Sequence, residues 1–358
     1  MMYWLLLFIP VAAGLEYLAP ERHLLVFAAS SLAILPLAGW LGRATEQLAE
    51  RLGEGVGGLL NATFGNAAEL IIALAALRAG LHDVVKASIA GSIIGNMLLV
   101  LGAAMLAGGL RHPEQHFNLA GARSQATMLT LAAIALTLPA AFQAAVGTRG
   151  AEALGSLSVS ISVVLLLVYL LYLVFTLITH ARLFTGSYVP EEGEMHARPW
   201  PMHRAALVLA AATIGIAWMS EVMVGAIQPT AHELGFSSVF IGVFVVAIVG
   251  NAAEHATAIS VALKDRMDLS LSIAIGSSVQ VALFVAPVLV LASLFLGPSP
   301  MDLALPAGLV LTLLLSVLIT GQVAGDGRSD WLKGAQLLAV YLVLGLTFFF
   351  IPAASASP

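Results

Sequence analysis

Long apolar segments separated by short polar stretches follow one another along the whole chain. A helix needs about 20 apolar residues to cross the hydrocarbon core of a bilayer. By that measure the pattern predicts eleven membrane-spanning helices, and hence an all-α polytopic membrane protein. The predicted spans cover residues 3–19, 24–41, 56–79, 84–109, 120–145, 153–181, 204–228, 237–263, 268–297, 303–322 and 331–351.

Two polar stretches interrupt the apolar pattern. Residues 43–54 follow the second span, and we expect them at the membrane interface. Residues 184–203 contain three glutamates followed by two prolines, which is typical of a connector between two halves. The pattern predicts an extra N-terminal helix (1–23), a first five-helix unit (24–183), an acidic connector (184–203) and a second five-helix unit (204–358).

Composition supports a membrane protein and excludes several other classes. Hydrophobic residues make up 60% of the chain and charged residues only 10%, against roughly 25% charged residues in soluble domains. The net charge of −5 comes without any basic run, so nothing indicates a nucleic-acid partner. Cysteine is absent, which excludes disulfides, thiol nucleophiles and thiolate-bound zinc.

The distribution of lysine and arginine predicts the orientation in the membrane. An odd number of spans places the two termini on opposite sides. Most of the 15 basic residues, including Arg43 and Lys264, fall on one predicted side, and cytoplasmic loops are enriched in such residues. We therefore expect a cytoplasmic N-terminus, a cytoplasmic connector and an external C-terminus.

One polar motif is written twice. The five residues that begin at Gly65 and at Gly250 both read GNAAE. A small polar cluster follows each copy, Gly91-Ser92 in the first case and Gly276-Ser277 in the second, so one shift of 185 positions relates both pairs. The copies fall on the third and eighth predicted spans, which cross in opposite directions. The repeat is therefore inverted, a common plan of secondary transporters with a substrate site at mid-membrane.

Each motif copy places a carboxylate well inside a predicted span. Glu69 and Glu254 lie about ten residues, or about 15 Å, from the nearer helix end. A charged group there costs several kcal/mol unless it is compensated, so intramembrane acids usually mark an ion pathway. A protonated glutamic acid bonded to a neighbouring helix is the plainer alternative, but it does not explain two copies in inverted positions.

Further oxygen-bearing side chains accompany both carboxylates at helical spacing. Such a set suits a hard cation, and calcium takes six to eight oxygen ligands, whereas zinc or copper would call for histidine or thiolate. Asn66 and Glu69, like Asn251 and Glu254, are three residues apart and are expected to share a helix face. The candidate ligands are Glu69, Glu254, Asn66, Asn251, Ser92, Asn96, Ser277 and Gln280.

These motifs, with GNAAEH at 250–255 and GSSVQ at 276–280, resemble the calcium/proton exchanger (CAX) family of the calcium/cation antiporters. The resemblance implies two inverted five-helix units in which Glu69 and Glu254 bind Ca²⁺ and protons in turn, supported by the asparagines, serines and Gln280. Related sodium/calcium exchangers tend to have an acidic residue where this chain has Gln280. The neutral side chain of Gln280 therefore favours coupling to H⁺ over coupling to Na⁺. The three connector glutamates are too few to predict the regulatory calcium site of some family members.

Two further polar residues are candidates for a gate or proton path. Glu221 lies in the seventh span, and an interfacial acid is its plainer interpretation. His255 follows Glu254 about 100° around the helix, where it either relays protons or simply packs.

Ca²⁺/H⁺ antiport across a prokaryotic cell membrane is the function that these features predict, without a prosthetic group. A Na⁺-coupled exchanger is the alternative, and a passive divalent-cation channel is the alternative of another class. An enzyme is not expected, because the chain contains no HExxH or GxGD motif. The choice among Ca²⁺, Mn²⁺ and Cd²⁺, and the formation of a homo-oligomer, are left open.

Overall fold

The computed structural model describes residues 3–180 and 200–350, so most of the predicted connector lies outside the described residues. Within these ranges the chain is almost entirely helical. The N-terminal part contains a 3₁₀ turn (Tyr3–Leu7), α1 (Phe8–Leu18), α2 (His23–Phe64), α3 (Ala67–Arg78), α4 (His82–Ile94), a π-helical segment (Gly95–Val100), α5 (Leu101–Arg111), β1 (Gln115–His116), α6 (Leu119–Val146), a 3₁₀ turn (Gly147–Gly150), α7 (Ala151–Val174) and a π-helical segment (Phe175–Thr179). The C-terminal part contains α8 (Met202–Leu234), α9 (Ser238–Phe240), a π-helical segment (Ile241–Val246), α10 (Ala247–Ala262), α11 (Met267–Gln280), a π-helical segment (Val281–Val285), α12 (Ala286–Ala292), α13 (Ala307–Ala324), β2 (Arg328–Ser329) and α14 (Trp331–Phe349).

Helix lengths agree with a multi-pass membrane protein. In the described part of the chain, nine helical segments are long and apolar enough to cross a bilayer, and a shorter apolar helix, Trp4–Leu18, precedes them. The predicted second and third spans differ from the structure. Helix α2 runs for 42 residues through the polar stretch 43–54. The helix ends before Gly65, and the 12-residue α3 begins two residues later. The count of eleven spans therefore stays a prediction.

Packing reproduces the internal repeat seen in the sequence. Under the 185-residue shift, α3 corresponds to α10, and the α4–α5 segment corresponds to the α11–α12 segment. A π-helical segment interrupts each of these two segments at the equivalent place. Helix pairs exchange in the same way. Helix α5 packs on α14 as α12 packs on α7, and α3 packs on α8 as α10 packs on α2. The two halves are thus related by a pseudo-two-fold axis, which passes between α2 and α8 and between α6 and α13.

The most buried segments are those that contain the small polar clusters. In the most apolar stretch of His82–Arg111 and of Met267–Ala292, 83% and 78% of the residues are buried. The corresponding share is only 28% in Leu119–Val146 and in Ala151–Thr179. Apolar side chains on the latter two helices are exposed, as expected for helices that face lipid. The core of the molecule is therefore built around α4 and α11.

Short loops fasten the two halves to each other. The two-residue strands β1 and β2, which the sequence does not predict, pair antiparallel and join the α5–α6 loop to the α13–α14 loop. Beside them, Gln115 donates to the carbonyl of Ala262 and to the Asp265 carboxylate, each at 2.9 Å. The end of α10 is thereby held against a loop from the first half.

A largely buried ion pair joins the halves elsewhere. Lys86 Nζ of α4 lies 2.7 Å from Asp302 Oδ1, in the loop before α13, and the two side chains are 11% and 31% exposed. We expect Lys86→Met to lower the free energy of unfolding by about 2 kcal/mol, less than the 3–5 kcal/mol typical of a fully buried pair, because Asp302 is partly exposed.

Equilibrium unfolding of the purified protein by SDS in mixed micelles would measure this change. Lys264→Met is the matched control, because Lys264 is exposed. Equal loss of stability in both variants would contradict a stabilising role of the Lys86–Asp302 pair.

Candidate cation-binding site

The first motif copy lies at a break between helices. Helix α2 ends at Phe64, Asn66 has φ −97° and ψ 20°, and α3 begins at Ala67. Asn66 and Glu69 therefore do not share a helix face as the sequence predicts, since Asn66 precedes the helix. Glu69 lies in the first turn of α3, is 5% exposed, and is favoured there by the positive end of the helix dipole.

The second motif copy lies within a continuous helix. Asn251 and Glu254 both belong to α10, which follows directly on the π-helical segment Ile241–Val246. The predicted three-residue spacing on one helix is therefore confirmed for this copy. Segments of π-helix are frequent at functional sites, because the extra residue redirects the side chains that follow.

Asparagines and serines bond crosswise between the two halves. Ser277 donates its hydroxyl to Asn66 Oδ1 at 2.8 Å, and Asn251 donates its amide to Ser92 Oγ at 3.0 Å. The 185-residue shift exchanges these two contacts. Each half of the chain therefore completes the polar network of the other, which explains why the motif and the small polar cluster occur together in both copies.

The two glutamates lie within this network with part of their bonding capacity unused. Ser92 and Asn251 both donate to Glu69 Oε1, the latter at 3.3 Å, and Ser277 lies beside the Glu254 carboxyl. The Oε2 atoms of Glu69 and Glu254 are buried and make no hydrogen bond within the described residues. Because buried polar atoms are nearly always paired, these two oxygens are positioned to bind a cation or a proton.

Around Ser277, three polar contacts lack a counterpart around Ser92 among the described residues. Asn66 Nδ2 donates to Gln280 Oε1 at 2.6 Å and Asn96 Nδ2 donates to Ser277 Oγ at 3.1 Å. His255 Nε2 lies 3.0 Å from Asn96 Oδ1. Glycine, valine and leucine occupy the equivalent positions 95, 281 and 70. The polar network is therefore more extensive around Ser277 than around Ser92.

These contacts also define the role of His255 in the site. Since the Asn96 amide nitrogen donates to Ser277, its oxygen faces the imidazole, and His255 must donate from Nε2. His255 thus contacts the network through Asn96 rather than through either carboxylate.

A cavity of about 760 Å³ leads to one side of the site. It extends from Glu254 and Gln280 to the exposed residues Arg43 and Glu46, whereas Glu69 is not part of its lining. At its inner end, a methyl group on Gly65 would lie 3.6 Å from Glu254 Oε1 and 3.7 Å from Gln280 Oε1. Glycine at this position therefore leaves space next to the carboxylate.

The cavity lining on α2 includes residues that the sequence analysis missed. Glu46 lines the cavity although the sequence places it in an interfacial stretch. The available signal was a spacing of three, since Pro36, Gly39, Gly42 and Thr45 all line the cavity. That spacing marks a helix face poor in large side chains, which a count of apolar residues does not register.

Glu221 lies apart from the network. Its carboxylate pairs with Arg78 at 2.9 Å, and its side chain is 57% exposed. Among the described residues, no group of three or more histidine, cysteine, aspartate or glutamate side chains could hold a metal ion. The candidate site is therefore built from two carboxylates completed by amides and hydroxyls.

Comparisons with known proteins agree with this architecture. The model of the family described as sodium/calcium exchanger protein matches residues 22–178 and again 204–350, once for each half. A Ca²⁺/H⁺ antiporter of Aphanothece halophytica is 45% identical, covering 98% of this chain and 96% of its own length. The Ca²⁺/H⁺ antiporter ChaA of Bacillus subtilis is 43% identical, and the match covers 96% of this chain and 99% of the relative's length.

A solved structure extends the comparison to three dimensions. The structure of native YfkE is 38% identical in sequence and superposes with a TM-score of 0.83, covering 97% of this chain and 98% of its own. The doubled motif, the crossed network and both halves of the family match describe one architecture. The chain belongs to the sodium/calcium exchanger family.

Proposed function

We propose that this protein exchanges Ca²⁺ for H⁺ across a membrane by alternating access. One observation supports this above all. Two glutamates, one from each inverted half, each hold a buried, unpaired Oε2 atom where the halves cross. A cavity reaches Glu254 from one side of the site.

Coupling follows from the shared burial of Glu69 and Glu254. Two buried carboxylates without a counter-ion repel each other and lose the hydration that stabilises charge. The pair is therefore occupied either by a divalent cation or by protons. Arrival of Ca²⁺ displaces protons, and protonation releases Ca²⁺, so the two carboxylates titrate as a unit.

The surrounding groups complete the coordination of the cation. Calcium requires six to eight oxygen ligands. The two carboxylates supply up to four, and the Asn66, Asn251, Ser92 and Ser277 oxygens lie within the same network. Asn96, Gln280 and His255 hold these groups in position, because Gln280 accepts from Asn66, Asn96 donates to Ser277, and His255 bonds to Asn96.

Protons rather than sodium are the proposed coupling ions. Relatives that are 43% and 45% identical over nearly the full chain are Ca²⁺/H⁺ antiporters by name. The neutral Gln280 at the inner end of the cavity agrees with them, since an additional carboxylate would favour binding of further cations. We place the protein in a prokaryotic cell membrane with its N-terminus inside, so that the cavity beside Arg43 opens to the cytoplasm.

A flux assay in proteoliposomes tests the proposal. Purified protein is reconstituted with an imposed pH gradient, and Ca²⁺ uptake is followed together with the internal pH. We expect uptake to require the pH gradient and to move protons in the opposite direction. Equal uptake when a Na⁺ gradient replaces the pH gradient would instead indicate the sodium-coupled alternative.

The same vesicles distinguish an exchanger from a channel. External Ca²⁺ should accelerate the efflux of internal ⁴⁵Ca²⁺, because the binding site of an exchanger can return to the inside with external Ca²⁺ bound. Tracer efflux that is independent of external Ca²⁺ and of pH would contradict antiport.

A further inference from the structure

The pseudo-two-fold relation points to a second region that corresponds to the open cavity. The cavity lies between α2, whose lining includes Leu35 and Thr45, and α10. A shift of 185 positions maps this boundary onto that between α8 and α3. Leu35 corresponds to Ser220 and Thr45 corresponds to Thr230.

This second boundary is closed in the structure. Ser220 and Thr230 are both 0% exposed, and Ile72 of α3, which corresponds to the cavity-lining Thr257, is 1% exposed. The hydroxyls of Ser220 and Thr230 make no hydrogen bond within the described residues. A buried hydroxyl without a partner is unfavourable, so two of them on one helix suggest a surface that meets water in another conformation.

A charged contact joins α3 and α8 at the same boundary. Arg78, the last residue of α3, pairs with Glu221 of α8, the neighbour of Ser220. The equivalent positions at the open boundary are Leu263 and Pro36, which cannot form an ion pair. The ion pair is therefore present on the closed side and has no counterpart on the open side.

We propose that the α3–α8 boundary is the second access path of the transporter, with Ser220 and Thr230 in its lining, and that the Arg78–Glu221 ion pair holds it shut. This inference rests on the proposed alternating access and assigns it to named residues. When the second path opens, the two hydroxyls gain water as partners and the ion pair separates. Both residues of the pair are more than half exposed, so separation does not leave their charges buried inside the protein.

The strength of the ion pair suits this role. An exposed pair of this kind changes a two-state equilibrium by up to about fivefold. A contact of that size biases the closed state without preventing the opening that each transport cycle requires. A deeply buried pair would slow the cycle, because its separation would leave uncompensated charges.

The absence of cysteine in the chain allows a direct test. Ser220→Cys, Thr230→Cys and, as a reference for the open cavity, Thr257→Cys at an exposed lining residue are each introduced alone. Reaction with a membrane-impermeant maleimide is timed with the ion pair intact and in the presence of Glu221→Gln or Arg78→Gln. Glu152→Gln, at an exposed glutamate that begins α7, serves as the control.

We expect position 220 to react slowly with the pair intact and about three to five times faster in either neutral variant, with position 230 changing in the same direction. Position 257 should react more slowly in those variants, because the two paths open alternately. The exchanged pair, Arg78→Glu with Glu221→Arg, should restore the slow reaction at position 220. The Glu152→Gln control should leave all three rates unchanged.

Unchanged labelling at both 220 and 230 in the neutral variants would overturn the proposal, as would faster labelling at 257 together with 220. Ca²⁺/H⁺ exchange is measured on the same preparations. If Ca²⁺/H⁺ exchange is normal but the labelling rates do not change in the neutral variants, only the proposed second access path is overturned. Responsive labelling without Ca²⁺/H⁺ exchange supports the path and overturns the proposed cargo.

Discussion

Glu69→Gln and Glu254→Gln should each reduce Ca²⁺ uptake by at least about 100-fold. Each carboxylate offers one buried, unpaired oxygen to the site. Removing one partner from a buried charge interaction costs about 3–5 kcal/mol, which corresponds to a factor of about 100 to several thousand. Glutamine has nearly the same shape as glutamate, so the packing of α3 and α10 should be kept while the charge is lost.

The measurement is the initial rate of Ca²⁺ uptake into proteoliposomes under an imposed pH gradient. Glu152→Gln provides the matched control, because this glutamate is exposed outside the site. The double variant should be no worse than either single one, since the two carboxylates act as one unit. Uptake that persists in either single variant would remove that glutamate from the proposed site.

The candidate site residues could be predicted because they conflict with their surroundings. Glu69 and Glu254 stand in apolar segments long enough to cross a bilayer, where an unexplained carboxylate is costly. Their repetition at a constant shift, together with Ser92 and Ser277, indicates that two copies form one site. The crossed bonds of the serines to Asn251 and Asn66 confirm that the motif and the polar cluster belong together.

The helix break at Gly65 could not be predicted from the apolar pattern. Residues 56–79 contain enough apolar side chains for one continuous span, and hydropathy does not register that the backbone turns at Gly65 and Asn66. The same motif continues as a helix at Gly250. The same five-residue sequence therefore adopts two different backbone conformations. The packing of the surrounding helices, rather than the local sequence, determines which conformation forms.

Nor does the sequence say which side of the site is open. An inverted repeat supplies two similar boundaries, and either can separate. Leu35 lines the cavity and is partly exposed, while its counterpart Ser220 is fully buried, although serine is the more polar side chain. The difference belongs to one conformation of the protein, so it appears only in three dimensions.

Asn251→Asp should reduce Ca²⁺ uptake by about 30-fold or more, the second largest effect that the site predicts. The Asn251 amide nitrogen lies 3.3 Å from Glu69 Oε1, 3.0 Å from Ser92 Oγ and 3.0 Å from the Ala247 carbonyl. Aspartate replaces this donor with an acceptor that faces other acceptors. Leaving buried groups unpaired costs about 1–3 kcal/mol, and the added negative charge beside Glu69 increases that cost.

Asn66→Asp is the internal control, since the repeat relates the two positions. Asn66 accepts the Ser277 hydroxyl through Oδ1 and donates only to Gln280. An aspartate at position 66 keeps the first contact and loses the second, so its uptake should fall by no more than about tenfold. Initial rates over a range of Ca²⁺ concentrations measure both variants. Equal losses at 66 and 251 would show that net charge, rather than the direction of these hydrogen bonds, determines transport. A larger loss at 251 would show that the donors around Glu69 matter, because the two substitutions add the same charge and differ only in the contacts they remove.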